Sequence, residues 1–352
     1  MTRWQRPIRS MLGAFVVLHA LAHSVLPLRG YIAYPPHSLN AAVTLVSYTL
    51  AMIALFSAGM SLLGARLLER HAVRLFGVGV LASTVALISA WDPAAWWGLA
   101  LNAALVGAVT GARNTGVLAA SGRVPGERVH LLSRIGEGAA YALVAYVAVA
   151  TLAWPWHRHW GSEAADHLSY PGSDNIAGNV RCELVHAVDV DAPPHVVWAW
   201  LVQLGQDRAG FYSYDWLERL FLADVHNVFE IRGEWQHRAA GEFVRAAPPN
   251  YLGGVFGRDV GWKVVAVEPG RALVLEGWGG FVIRPVGANR SRLLVRSTVG
   301  GPDTPVWAAG LTFSLFELPH FIMERKMLLT IKDLSERQAR AGIERATLEV
   351  GR

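Results

Sequence analysis

The chain has 352 residues, enough for two domains of ordinary size, and 53% of them are hydrophobic while only 17% are charged. This balance excludes a typical soluble protein, and the apolar excess lies in the first 155 residues. The formal net charge of +5 comes mostly from arginine, without the basic stripe on a soluble face that a nucleic-acid-binding protein would show. A single cysteine, Cys182, excludes an intrachain disulfide and a cysteine-rich metal cluster. We expect neither a nucleic-acid partner nor a cofactor.

Five apolar segments fill the first 155 residues. A helix needs roughly 20 apolar residues to cross the hydrocarbon core of a bilayer. Tryptophans lie at the segment ends, and Ala, Gly and Ser are frequent within the segments, which is typical of helices packed in lipid. The sequence therefore predicts an all-α membrane domain over 1–155, with helices at about 8–27, 41–64, 73–91, 95–112 and 136–154.

The arginines of this block alternate between its loops. They precede the first segment and recur between segments two and three and between four and five, whereas the opposite loops hold Arg29 and nothing else basic. This bias predicts a cytoplasmic N-terminus, and five spans then place the C-terminal domain outside the cytoplasm of a bacterial plasma membrane. The arginines on the cytoplasmic side are Arg3, Arg6, Arg9, Arg66, Arg70, Arg74, Arg113, Arg123, Arg128 and Arg134.

The first segment carries two further signals. A cleavable signal peptide is an alternative, but the length of the segment and the lack of a small-x-small cleavage site favour a retained helix. His19 and His23 are four residues apart and share a helix face. They are either a metal or haem ligand pair or, in the plainer interpretation, hydrogen-bonding groups that face a neighbouring helix.

Residues 156–180 are polar and rich in turn formers, and residues 181–345 have the pattern of a soluble α+β domain. Alternation predicts a first strand with Leu184, His186 and Val188 on one face. Asp191 is the predicted N-cap of a helix over about 196–204, and a second helix is expected near 214–220. Turn signals then separate six strands of an antiparallel meander, near 227–232, 241–246, 260–268, 271–278, 280–286 and 291–299.

A long amphipathic helix is predicted at the C-terminus, kinked or restarted at Pro319. Glu324 is expected among the charged residues that fall elsewhere around this helix. The residues predicted to form its apolar face are Phe316, His320, Met323, Met327, Ile331 and Leu334.

This order of elements resembles the START-like superfamily, also called SRPBCC, which includes polyketide cyclase-like, aromatase-like and lipid-transfer proteins. The likeness covers roughly residues 175–342. Its strongest local piece is 188–198, VDVDAPPHVVW, which is similar to the I-x-A-P-x-x-V-W motif of that family. The segments 210–218 and 320–328 resemble an uncharacterised bacterial branch. The resemblance implies a helix-grip fold. In this fold a curved antiparallel sheet wraps around the long C-terminal helix, and an apolar cavity remains between the sheet and the helix.

That cavity would be mostly apolar with a few placed polar groups. Methionine is flexible and polarizable, and therefore suits an irregular pocket wall. Asp215 and His320 are also candidates for catalysis. The candidate ligand-binding residues are Tyr212, Tyr214, Asp215, Trp235, Trp278, Arg296, His320, Met323 and Met327.

Each candidate has a plainer interpretation. Met323 and Met327 fit an ordinary core, and Asp215 is well placed to interact with the N-terminal end of its own helix. Arg296 lies on a strand whose register is unknown, so it is equally compatible with a solvent-facing position. His320 fits a structural hydrogen bond as well as an acid or base role.

Three functions are compatible with these features. The first is a membrane-anchored protein that binds or transfers a hydrophobic small molecule or lipid. The second is an enzyme that cyclises, dehydrates or hydrolyses an apolar substrate in the same cavity; the general acid–base groups would be Tyr212, Tyr214, Asp215 and His320. The third is a membrane sensor or assembly protein, in which the membrane block is the active part.

Overall fold

The structure is a computed structural model that describes residues 4–25, 38–90, 95–118, 131–167, 182–299 and 313–350. The chain divides into two compact units, Met1–Pro155 with Pro305–Glu317 and Trp156–Thr304 with Leu318–Arg352. Most of the predicted linker lies outside the described residues, as do Arg3, Arg29, Arg123 and Arg128.

Five long helices occupy the described part of the chain before residue 158: α1 (Gln5–Val25), α2 (Leu39–Leu63), α3 (Ala72–Ser89), α4 (Ala95–Asn114) and α5 (Leu131–His157). Within the described residues, four stretches are long and apolar enough to cross a membrane: Leu39–Leu63, Glu69–Ser89, Ala95–Asn114 and Ser133–His157. Helix α1 is not among them, because Arg6, Arg9, His19 and His23 make it more polar.

Helix α1 nevertheless packs closely on α2. Gly13 and Gly59 allow this approach, since a Cβ on Gly59 would lie 2.8 Å from Cγ2 of Val17 and 2.9 Å from the Gly13 carbonyl oxygen. Near the start of α1, the buried Arg9 donates from Nη2 to the Ser61 carbonyl oxygen at 3.0 Å. The guanidinium of Arg9 thus has a partner on α2.

The second unit contains a six-stranded antiparallel sheet in the order β1-β6-β5-β4-β3-β2. Its strands are β1 (Cys182–Val190), β2 (Phe243–Arg245), β3 (Gly261–Glu268), β4 (Ala272–Leu275), β5 (Gly279–Pro285) and β6 (Ser291–Val299). The helices are α6 (Pro194–Leu201), α7 (Asp215–Leu220) and the long α8 (Leu318–Val350). Helix α8 packs on β1 and α6, and its buried apolar residues join those of the sheet in one core.

Two predicted local features are wrong. Residues 227–232 form no strand, because this segment is held by other hydrogen bonds: Gln203 donates to the Glu230 carbonyl oxygen at 2.9 Å and accepts from the Arg232 amide at 3.3 Å. Asp191 does not cap α6, because the N-cap of this helix is Pro193. The carboxylate of Asp191 instead pairs with Arg290 at 2.9 Å.

A π-helical turn, Phe313–Glu317, precedes the long C-terminal α-helix, which begins at Leu318, directly before Pro319. A proline is tolerated at this position because the first amides of a helix have no intrahelical partner. Met327 and Ile331 are buried as predicted, but Phe316 is 65% exposed. Glu324, expected on the polar side, is instead almost fully buried.

Candidate functional site

A cavity of about 240 Å³ lies in the second unit, next to α8. Aromatic rings and methionines form most of its wall, and a few polar groups reach it from α7, α8 and the loop before α7. The lining residues are Phe211, Ser213, Glu218, Ala246, Trp262, Trp278, His320, Met323, Glu324 and Met327.

Glu324 is the centre of the polar groups, and its side chain has no exposed surface. Its Oε1 shares a short hydrogen bond with Nδ1 of His186. Its Oε2 accepts from the Trp278 indole Nε1 at 2.9 Å and lies 3.2 Å from Nε2 of His320. Burial acts to raise the pKa of Glu324, but His186 and His320 hold that pKa well below its usual range, so the carboxylate is charged.

The fold explains how these groups meet. Alternation along β1 places His186 on the face of the sheet that α8 covers. Glu324 follows His320 by one helical turn, which places both on one face of α8. Trp278 stands in the turn between β4 and β5, next to Gly279; a Cβ on Gly279 would lie 1.9 Å from the Arg296 carbonyl oxygen, so only glycine fits there.

Three aromatic rings form the apolar wall. The ring centroids of Trp262 and Trp278 are 4.4 Å apart, and Phe211 lies 6.0 Å from each of them. Ser213 donates a hydrogen bond to the Met323 carbonyl oxygen at 2.8 Å, which holds the loop of Phe211 against α8. The wall is therefore fixed from both the sheet and the helix.

Glu218 brings a second carboxyl group to the cavity. Burial raises its pKa to about 7, and the negative charge of Asp215 adds to this effect while Arg219 opposes it. Its Oε2 is buried and has no hydrogen-bond partner among the described residues. The two carboxyl groups of one cavity thus have pKa values displaced in opposite directions, a pattern frequent at functional sites.

The structure brings four of the predicted ligand-binding residues to the cavity, namely Trp278, His320, Met323 and Met327. Tyr212 does not line it: the ring is fully buried, its hydroxyl accepts from Gln203 at 2.8 Å, and burial raises the pKa of this phenol.

The other predicted residues lie around the cavity rather than on it. Asp215 binds Arg219 at 2.7 Å; burial opposes ionisation, but this hydrogen bond keeps the pKa of Asp215 below its usual value. Tyr214 is partly exposed, and Trp235 packs at the edge of the core under the guanidinium of Arg232. Arg296 alternates with the core residue Val295 and so belongs to the opposite face of the sheet.

Sequence reasoning missed Glu218, Glu324 and His186 as members of the site. Glu218 lies three residues after Asp215, which was a predicted site residue. Glu324 lies four residues after His320. The i,i+4 spacing of a histidine and a glutamate on one helix was the available signal. Nothing in the sequence showed that His186, on a strand far away in the chain, would meet them.

In the helical unit, His19 and His23 are engaged by neighbouring helices. Nε2 of His19 lies 3.1 Å from Oδ1 of Asn102, and Nε2 of His23 lies 2.8 Å from the Ser83 hydroxyl. Across the described ranges, no group of three or more His, Cys, Asp or Glu side chains is arranged to hold a metal ion. His23 Nδ1 also lies 2.8 Å from the His19 carbonyl oxygen in the same helix, so the pair combines contacts between helices with one contact within α1.

No family model matches the chain, and neither a curated protein nor a solved structure does.

Proposed function

We propose that the chain is a membrane-anchored protein that holds a small hydrophobic molecule in the cavity of its second unit. The observation that carries the proposal is the lining itself: three aromatic rings, two methionines and a few convergent polar groups around about 240 Å³. A compound that partitions into the bilayer is best captured by a protein anchored there, and four helices are suited to such an anchor.

The proposal includes membership of the START-like superfamily for roughly residues 175–342. Support comes from the six-stranded antiparallel sheet, the long helix α8 packed on it, and the cavity beside that helix. The predicted motif 188–198 runs from the end of β1 into α6, where Val196 and Val197 are buried.

The proposal also treats α1 as a fifth span, which places the second unit outside the cytoplasm. Close packing of α1 on α2 and the His19–Asn102 hydrogen bond support this, because a helix with satisfied polar groups can enter lipid despite lower hydropathy. A fluorescent reporter that matures only in the cytoplasm, fused after Arg352, should stay dark. Fluorescence there would leave four spans and overturn the placement.

Ligand binding is tested on the full-length protein in detergent. We expect an apolar molecule to be extracted from the purified protein and identified by mass spectrometry, and we expect Ala246→Phe to remove it by filling the cavity. Ala288→Phe, in the exposed turn after β5, makes the same change away from the cavity and should leave the molecule bound. Absence of any apolar molecule from both the parent protein and Ala288→Phe would count against the proposal.

A second candidate function is acid–base catalysis in the same cavity. The observation in its favour is the pairing of His320 with the buried carboxylate of Glu324, in a cavity that Glu218, whose pKa is about 7, also lines. In this arrangement the imidazole of His320 removes a proton from the substrate while protonated Glu218 donates one.

Proton abstraction is measurable without knowledge of the substrate. The probe is 2-tetralone, a small apolar ketone, whose exchange of α-hydrogen for deuterium in D₂O is followed by NMR. We expect exchange above the buffer rate, reduced at least about tenfold in His320→Gln. A Tyr214→Phe protein, altered at a partly exposed residue outside the cavity lining, serves as the control. Exchange that is equal in buffer, parent and His320→Gln rules the enzymatic candidate out.

A further inference from the structure

One carboxyl group of the cavity, that of Glu218, has an oxygen without a partner in the described part of the chain. Oε2 of Glu218 is buried and lacks a hydrogen-bond partner within the described part of the chain. A buried polar atom without a partner costs free energy, so such an atom in a cavity points to a missing binding partner. The site already described gives Glu218 no structural role that would compensate for this cost.

The charged groups near Glu218 are already engaged elsewhere. On its own helix, Arg219 is paired with Asp215 at 2.7 Å and also donates to the Val225 carbonyl oxygen at 3.1 Å. On α8, His320 lies 3.2 Å from Glu324. The remaining lining residues from β3, the β4–β5 turn and the segment after β2 are uncharged, namely Trp262, Trp278 and Ala246.

The rest of the wall also favours a cation. The faces of indole and phenyl rings carry negative electrostatic potential and attract organic cations, tryptophan most strongly. Trp262, Trp278 and Phe211 supply three such rings beside the carboxyl groups. No lysine or arginine is found among the described lining residues, so an anionic ligand would face the carboxyl group of Glu218 without a strong cation beside it.

We propose that the ligand of this cavity is a small organic amine, bound as its ammonium ion between Glu218 and the aromatic wall formed by Phe211, Trp262 and Trp278. This inference rests on the proposed binding function and adds the chemical class of the ligand. The apolar part of the amine lies against Met323 and Met327. A volume of about 240 Å³ is below the roughly 300–1,000 Å³ of drug-sized pockets, which fits an amine with one or two rings.

Charge also predicts the pH dependence of binding. Glu218 must be ionised to pair with an ammonium ion, and its pKa in the free protein is about 7. A simple alkylamine keeps its proton up to about pH 10. Binding of the amine therefore strengthens as the pH rises, by about tenfold between pH 6 and pH 8, because the ionised fraction of Glu218 increases about tenfold over that interval.

The experiment compares three probes of nearly equal shape on the full-length protein in detergent: 2-phenylethylamine, 2-phenylethanol and phenylacetate. Affinity is measured by quenching of tryptophan fluorescence and by calorimetry at pH 6, 7 and 8. We expect the amine to bind at least tenfold more tightly than the alcohol at pH 8, and phenylacetate to bind most weakly. The Glu218→Gln variant should bind amine and alcohol about equally, without the pH dependence.

Two further variants separate Glu218 from its surroundings. His320 is ionisable as well, so His320→Gln tests whether it causes the pH dependence; the profile should persist in this variant. Glu276→Gln removes an exposed carboxylate from the β4–β5 turn and should behave as the parent protein does. Retained binding of 2-phenylethanol in Glu218→Gln shows that the cavity is still folded.

The possible results are distinct. Tighter binding of the amine that depends on Glu218 supports the inference. Equal or tighter binding of the alcohol or phenylacetate in the parent protein, or a pH dependence that persists in Glu218→Gln, overturns the inference and leaves the binding function standing. If none of the three probes binds and no apolar molecule copurifies, the binding function and the inference both fail.

Discussion

Trp278 donates a hydrogen bond from its indole Nε1 to Oε2 of Glu324 over 2.9 Å, although the two residues are 46 positions apart. The same carboxylate binds His186 from β1 and lies next to His320 on its own helix. Three elements thus converge on one buried negative charge. An ion so deeply buried is tolerated only when several donors replace its lost water.

Glu324→Gln should lower the free energy of unfolding by about 3 kcal/mol at pH 7, the usual cost when one partner of a buried ionic group is neutralised. A glutamine keeps the shape, but only one of its two terminal atoms accepts a hydrogen bond, so either His186 or Trp278 loses its acceptor. The measurement is thermal or chemical unfolding of the full-length protein in detergent, followed by near-UV circular dichroism.

The effect has a defined pH dependence. The folded-state pKa of Glu324 lies below its ordinary value of 4.5, so its stabilisation is complete above that value and is lost as the pH falls further. The difference in the free energy of unfolding between the parent protein and Glu324→Gln should become smaller as the pH falls below about 4.5. Asp333→Asn, in an exposed pair with Arg337 on the same helix, should cost less than about 1 kcal/mol. Equal losses in the two variants would contradict the role of the buried carboxylate.

Glu218 should show the opposite dependence. Its folded-state pKa is raised from 4.5 to about 7, so the folded protein binds a proton that the unfolded chain releases. The contribution of Glu218 to the free energy of unfolding therefore falls as the pH rises from about 4.5 to 7, and it stays constant above pH 7. Unfolding measured at pH 5 and pH 7.5 should show the loss in the parent protein but a smaller change in Glu218→Gln. An identical pH dependence in both proteins would show that Glu218 is ordinarily solvated.

These two residues also show what the sequence can and cannot predict. Strands β1, β3, β5 and β6 follow alternating or apolar patterns that local sequence reveals, and α8 follows from helical spacing. The burial of Glu324 does not follow, because a glutamate among charged neighbours favours a solvated face until His186 and Trp278 approach it from the sheet. Non-local pairing decides its environment.

The errors elsewhere have the same origin. Residues 227–232 have strand-forming side chains. The side-chain amide of Gln203, however, is hydrogen-bonded to the Glu230 carbonyl oxygen and the Arg232 amide, which a strand would use to pair with a neighbouring strand. Arg296 was expected at the cavity, and only the pairing of β6 with β1 and β5 assigns it to the other face of the sheet. A shift of one residue would reverse that assignment, and the sequence does not specify the register.

A buried ion pair on the second unit provides a test at a distance from the cavity. Asp166 has no exposed side-chain surface and binds Arg292 at 2.7 Å and Arg284 at 2.5 Å. Asp166→Asn should destabilise the protein by about 3 kcal/mol, since Arg284 loses the carboxylate it binds and the buried Arg292 keeps only its pair with Asp189 at 2.8 Å. Asp191→Asn makes the same chemical change in the exposed pair with Arg290 and should cost less than about 1 kcal/mol. Unfolding midpoints of the two variants give the comparison, and similar midpoints would refute it.

The packing of α1 on α2 is tested with two alanine substitutions. In Gly59→Ala the new methyl group would meet Val17 and the Gly13 carbonyl within 3 Å, so the helices must separate, at a cost of about 1–3 kcal/mol. Gly107→Ala, on α4, meets no atom within 4 Å and should be neutral or slightly stabilising because alanine favours helix. Unfolding of the full-length protein by increasing mole fractions of SDS in mixed micelles measures both. If Gly59→Ala unfolds no earlier than Gly107→Ala, then the contact of α1 with α2 does not hold the helical unit together, and the argument for α1 as a fifth span loses its main support.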